Sequence, residues 1–214
     1  ALGSAQVASL TNTQMAALSA TQAGALTSAQ VRALGTAQLQ ALTNEAVAAL
    51  TTGSTGAVAA LSTAQLAALT TAQLRAMTDG QISSLSSTQA RALTSQQLNA
   101  LEANDLATVK TLLQTQQVQA LNAGQLATLG TDISALGTAQ VRALGTGQLA
   151  VLAYSQIAAL TTAQVASMSS TQLRALSGGQ IASIEVADLQ AMQSSQVASL
   201  LSSQLQFLTS AQVQ

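Results

Sequence analysis

The chain has 214 residues, six of them basic and seven acidic for a net charge of −1, and it contains no Cys, His, Pro or Trp. That composition excludes disulfides, thiolate chemistry and imidazole metal ligands, and it leaves far too little positive charge for a phosphate-binding groove, so no nucleic-acid partner is expected. Although 48% of the residues are hydrophobic, no stretch approaches the roughly 20 continuous apolar residues of a membrane span.

The organising feature is an aliphatic residue at every eighth position. The first run is Leu2, Leu10, Leu18, Leu26, Leu34, Leu42 and Leu50, and the second goes from Leu61 to Val109. A third holds Leu113, Leu121 and Leu129, and the last runs from Leu136 to Leu208. Five residues after each anchor comes a second aliphatic, as at Val7, Val31, Leu39, Leu66, Ile82, Leu98, Val141 and Leu173. In one continuous helix the anchor stripe would drift by about 80° per octad, so no single partner surface could bury it. The chain must bend once per octad, which predicts an all-α solenoid of short capped helices, one per eight-residue repeat, roughly 27 in all.

The bend lies in the two residues after each anchor. Thr, Ser or Gly comes first (Thr11, Ser19, Thr27, Gly35, Thr43, Thr70, Gly137, Gly145), followed by another small polar residue. With Thr27 as N-cap, Gln30 completes a capping box. Where Gly-Thr replaces Thr-Thr, as at Gly35-Thr36, Gly137-Thr138 and Gly145-Thr146, a second register has the Gly closing one helix in left-handed conformation and the Thr capping the next. A helix of about six residues is not stable alone in water, so neighbouring units must share buried faces.

Other columns refine this picture. The residue before each anchor is small (Ala17, Ala33, Ala41, Ala68, Ser167), which permits close stacking, and Phe207 in the last full unit suits a bulky cap over an open end. Gln recurs at one position throughout, including Gln38, Gln73, Gln81, Gln97, Gln164 and Gln204. A side chain that both donates and accepts suits backbone bonding at the corner of its own or an adjacent unit; a Gln array presented to a ligand is the alternative. Arg32, Arg75, Arg91, Arg142 and Arg174 share one column, read as a sparse solubilising face, with an inter-subunit contact row as the alternative. Three phase breaks interrupt the register near 51–56, 110–112 and 132. They are expected as loops or kinks within a single continuous octapeptide-repeat solenoid over 1–214, since the same octad resumes after each.

A catalytic centre would have to rest on carboxylates, Lys110, Tyr154 or hydroxyls, and no such constellation forms. No catalytic, cofactor-binding or metal residue is assigned, no cofactor is implied, and the chain reads as non-enzymatic. The paired acids Glu102 with Asp105 and Glu185 with Asp188 read as helix-start substitutions that the helix dipole favours, with a weak cation site as the alternative.

The segments Leu69 to Gln73 and Leu160 to Gln164, both Leu-Thr-Thr-Ala-Gln, resemble the Leu-Ser/Thr-Ser/Thr-x-Gln octapeptide tandem repeats of large bacterial cell-surface or secreted proteins, mostly proteobacterial. That resemblance implies an extracellular or cell-surface location, with adhesion or filament formation, and supplies no catalytic residues. A nearly uncharged surface favours self-association. The leading expectation is therefore an extracellular filament subunit or adhesin stalk built by head-to-tail stacking. The second is a binding module presenting Thr, Ser and Gln rows to a polysaccharide or an ice surface.

Overall fold

Most octads begin with a local hydrogen-bond circuit. At Thr70, the hydroxyl accepts the Gln73 N–H (3.1 Å) while Gln73 Oε1 accepts the Thr70 N–H (3.0 Å). The same reciprocal box starts the helices Asn12–Ala16, Ser28–Ala33, Thr63–Ala68, Ser95–Ala100, Thr162–Ser167 and Gly178–Ala182. Two N–H groups at each of these helix starts are thereby satisfied without help from elsewhere in the fold. In the computed structural model, which describes residues 2–213, 24 α-helices of four to seven residues and two 3-10 segments follow one another with no strand among the described residues.

The corner is made by the anchor aliphatic and the cap after it. Leu42 (φ −61°, ψ 143°) and Thr43 (φ −69°, ψ 161°) are both extended, and the Leu42 N–H donates to the Leu39 carbonyl at 3.2 Å. Ordinary corners need no left-handed residue, and the second register expected for Gly-Thr is not the one adopted. Gly35, Gly137 and Gly145 are themselves the N-caps, with φ between −68° and −72°, and the Thr that follows is the first helical residue. Their amides still donate to the Gln oxygen, as in Gly35 N–H to Gln38 Oε1 at 2.8 Å. Positive φ occurs only at Gly53 and Gly130 among the described residues, and both lie at phase breaks.

Within each of the two compact units described below, helices pack on the third helix after them, as Ser4–Ala8 on Ser28–Ala33, Asn44–Ala48 on Thr71–Ala76 and Thr138–Ala143 on Thr162–Ser167. Three octads, or 24 residues, therefore close one turn, and each turn has three helical sides. Both aliphatic columns face inward. The second column is sealed (Leu39, Leu66, Leu74, Leu98, Ile157 and Leu173 are fully buried) and the anchors Leu42, Leu69, Leu93, Leu144 and Leu160 are nearly so. Dense shared burial of this kind is what makes such short helices stable.

The chain divides into two compact units, Ala1–Leu113 and Gln114–Gln214. Within the first, the insertion near 51–56 emerges as an exposed loop held by Val58 N–H to Thr51 O (3.1 Å) and Ala57 N–H to Thr51 Oγ1 (3.0 Å). The extra half unit becomes a 3-10 turn, Lys110–Leu112, continuing the helix Ala103–Val109. Within the second unit, the one-residue deletion falls in the 3-10 segment Gly130–Ala135. A 3-10 helix rises about 2.0 Å per residue against about 1.5 Å in an α-helix, so fewer residues span the same side.

Candidate functional site

The polar centre of the structure is a ladder of glutamine amides. While Oε1 of a rung Gln completes its own cap, Nε2 reaches within its unit to the corner one turn earlier. Gln81 Nε2 donates to the carbonyls of Val47 (2.9 Å), Ala48 (3.2 Å) and Leu50 (2.8 Å). Gln97 repeats this on Leu66, Ala67 and Leu69, Gln172 on Val141, Arg142 and Leu144, and Gln204 on Leu173 and Leu176. The sequence reading of Gln as a bonding group at corners holds, and it joins two corners at once. Most of the column is buried, so the rows of Gln are not presented to solvent.

The Arg column is exposed, as expected. Arg75 and Arg91 also cross to the next layer, donating through Nε to the Ala100 carbonyl (3.1 Å) and the Leu112 carbonyl (3.3 Å). Open grooves between stacked helices run beside Arg142, Arg75 and Arg32, one basic side chain in each and no acid with it. No three acidic side chains converge closely enough to hold a metal by themselves among the described residues. Phe207 does not lie over an end. Its ring is more than half exposed and lies back against Gly178, where an added Cβ would collide with it; the Tyr154 hydroxyl blocks Gly179 in the same way.

The first and last octads differ from the rest among the described residues. On the first turn, Gln6, Gln14 and Gln22 complete their caps through Oε1 but are exposed, and their Nε2 groups have no acceptor among the described residues. In the last octads Val197, Leu205 and Val213 occupy the second-aliphatic column, which is buried as far as Ile181, yet are 47%, 44% and 67% exposed. No Gln amide reaches the corner carbonyls of Leu189 and Met192, Val197 and Leu200, or Leu205 and Leu208 among the described residues.

A family model described as the ALTTAQ repeat matches residues 21–52, 54–79, 130–162, 154–183 and 181–214, more than half of the chain. The chain belongs to the ALTTAQ repeat family. Its hexapeptide appears unaltered at Ala68 to Gln73 and Ala159 to Gln164, and the structure gives each letter a place. In ALTTAQ the Ala ends one helix, the Leu is the corner anchor, the first Thr is the N-cap, the second Thr and Ala open the next helix, and the Gln is the ladder rung. The ALTTAQ motif is thus a corner, and every side chain in it except the second Thr and second Ala is committed to the fold. No curated protein matches the chain.

Proposed function

We propose that this ALTTAQ array is a structural element without catalytic activity. Its copies stack head to tail into a filament or an adhesin stalk outside the cell or on its surface, in keeping with the bacterial repeat proteins it resembles. One observation supports the reading: the side chains of the repeated corner are spent on joining turns, the aliphatic columns in the core and the Gln amides on the carbonyls one turn earlier, so each turn binds the next through identical contacts. The corner contacts that join one turn to the next within the chain would equally join one copy to the next. A heterologous contact of this type extends indefinitely unless it closes into a ring.

Sedimentation velocity with negative-stain electron microscopy of the whole chain tests this. Wild-type protein is expected to form rods that lengthen with concentration. The double variant Leu205→Glu with Val213→Glu, altering side chains already exposed, is expected to remain monomeric and folded. A wild-type chain that stays monodisperse at high concentration overturns the proposal. The reading as a polysaccharide- or ice-binding module is supported by the exposed second-Thr hydroxyls of Thr63, Thr71, Thr138 and Thr146 alone, because the cap hydroxyls and the Gln rows are engaged within the fold.

A further inference from the structure

Two units carry acids where the cap and rung belong: Glu102-Ala-Asn-Asp105 and Glu185-Val-Ala-Asp188. Asp105 and Asp188 are the rung residues of the helices Ala103–Val109 and Val186–Gln190, and only 5% and 4% of each is exposed. A rung Gln meets carbonyls 31, 30 and 28 residues earlier, as Gln97 does. The same register sets Asp105 over the corner of Leu74, Arg75 and Met77. An ionised carboxylate has no hydrogen to donate to these oxygens.

The two acids solve this differently. At Asp188 the hydroxyl of Thr162, first residue of Thr162–Ser167, donates to Oδ1 at 2.6 Å. The equivalent position beside Asp105, also 26 residues earlier, is Asp79, first residue of Asp79–Ser83, a helix packed directly on Ala103–Val109. A donor is thus replaced by a second carboxylate. Asp105 Oδ1 is buried with no hydrogen-bond partner, the one such side-chain atom among the described residues. Burial first, then Asp79 and Glu102, push the Asp105 carboxyl above the ordinary carboxylate range. Arg75 turns its Nε to the Ala100 carbonyl, while Lys110 lies buried on the turn that continues the Asp105 helix.

We propose that Asp79 and Asp105, with the carbonyl oxygens of the Leu74 to Met77 corner, form a site for a divalent hard cation of calcium's chemistry, set where neighbouring turns place a Gln amide. All the ligands are oxygen and two are charged, which suits calcium rather than a soft or nitrogen-seeking metal. Asp is one methylene shorter than Gln, so the space vacated by the amide lies between the carboxylate and the corner. Asp79 is exposed and opens the site to solvent. With two carboxylates and backbone oxygens, the affinity falls in the weak range of extracellular calcium modules, Kd on the order of 1 mM.

This inference is independent of the stacking proposal. The test is thermal unfolding of the full chain at neutral pH with calcium chloride titrated against sodium chloride of equal ionic strength. The variants are Asp105→Gln, which restores the rung, and Asp188→Gln, whose carboxylate already has a donor. Calcium is expected to raise the midpoint of wild type and of Asp188→Gln in a saturable way, and to leave Asp105→Gln unmoved. No shift beyond the sodium control, or a shift that persists in Asp105→Gln, overturns the proposal. So does a wild type that gains the full stability of Asp105→Gln on mild acidification and gains nothing from calcium, since a proton would then be the occupant.

Discussion

Replacing Gln81 by Glu keeps the shape of the side chain and removes only its ability to donate. In the fold Gln81 is fully buried, its Nε2 lies 2.9 and 2.8 Å from the Val47 and Leu50 carbonyls, and its Oε1 accepts the Thr78 N–H at 2.8 Å. The Gln81→Glu side chain retains the cap bond but loses two short donor bonds, at about 1 kcal/mol each, and turns an oxygen toward buried carbonyls at a further cost of about 1–2 kcal/mol. The expected loss at pH 7 is thus about 3–4 kcal/mol. When protonated, the new carboxyl regains one donor, so its folded-state pKa lies above its unfolded value. The recovered stability is fully present below an unfolded pKa of about 4.3 and disappears as pH rises through the folded pKa. Gln14→Glu is the matched control, because Gln14 caps its own helix through Oε1 at 2.8 Å and its Nε2 has no acceptor among the described residues; a change below about 0.5 kcal/mol is expected. Urea unfolding followed by circular dichroism at several pH values measures both. Equal effects at positions 81 and 14, or a Gln81→Glu variant as stable at pH 7 as at pH 4, would refute the ladder as the source of stability.

Other substitutions isolate single elements of the corner. Thr70→Ala removes the acceptor of the Gln73 N–H and is expected to lower stability by about 1 kcal/mol in the same urea assay. Gly137→Ser supplies a cap oxygen where the backbone already has cap geometry and an added Cβ meets only ordinary contact, so a gain of a few tenths of a kcal/mol is expected, about 0.3. Gly56→Ala drives a Cβ into the Thr52 carbonyl and is expected to cost about 1–3 kcal/mol, with faster proteolysis at the 51–55 loop as a second readout. With no divalent cation present, the raised pKa of Asp105 makes its contribution largest below the unfolded pKa of about 3.9 and smaller as pH rises through the folded value. The stability difference between Asp105→Gln and wild type should therefore widen from pH 4 to pH 7.

Much of this fold is written locally. The octad spacing, the Thr and Gln of the capping box and the paired aliphatics lie within a few residues of one another, so the helix, its start and its buried face follow from the sequence alone. How many sides make a turn does not, because Gln73 and its partner Leu42 are 31 residues apart and nothing local to either records the distance. The same limit explains Gly35: cap and closing glycine are equivalent on paper, and only the packing of the extended corner decides between them. Phe207 reads as an end cap because its column otherwise holds small residues, but Gly178, one turn earlier, has the vacancy that receives its ring. Of the Asp105 cluster, the sequence shows the neighbour Glu102, while Asp79 becomes a neighbour only when the turns stack.

The insertion at 51–56 shows what the ladder measures. Beyond it the rungs reach back 31 and 28 residues, as at Gln89 to Val58 and Leu61, whereas rungs that span it reach back 34 and 31, as at Gln73 to Leu39 and Leu42. At the deletion the reach shortens to 30 and 27, from Gln148 to Val118 and Leu121. The partners are structurally the same each time. Registration is thus kept by counting corners, and residue number is free to vary between them. In this chain the ladder has absorbed a gain of residues at a corner and a loss along a helical side without losing its thread, so the frame tolerates a loop displayed from a corner without a change in how its turns are joined.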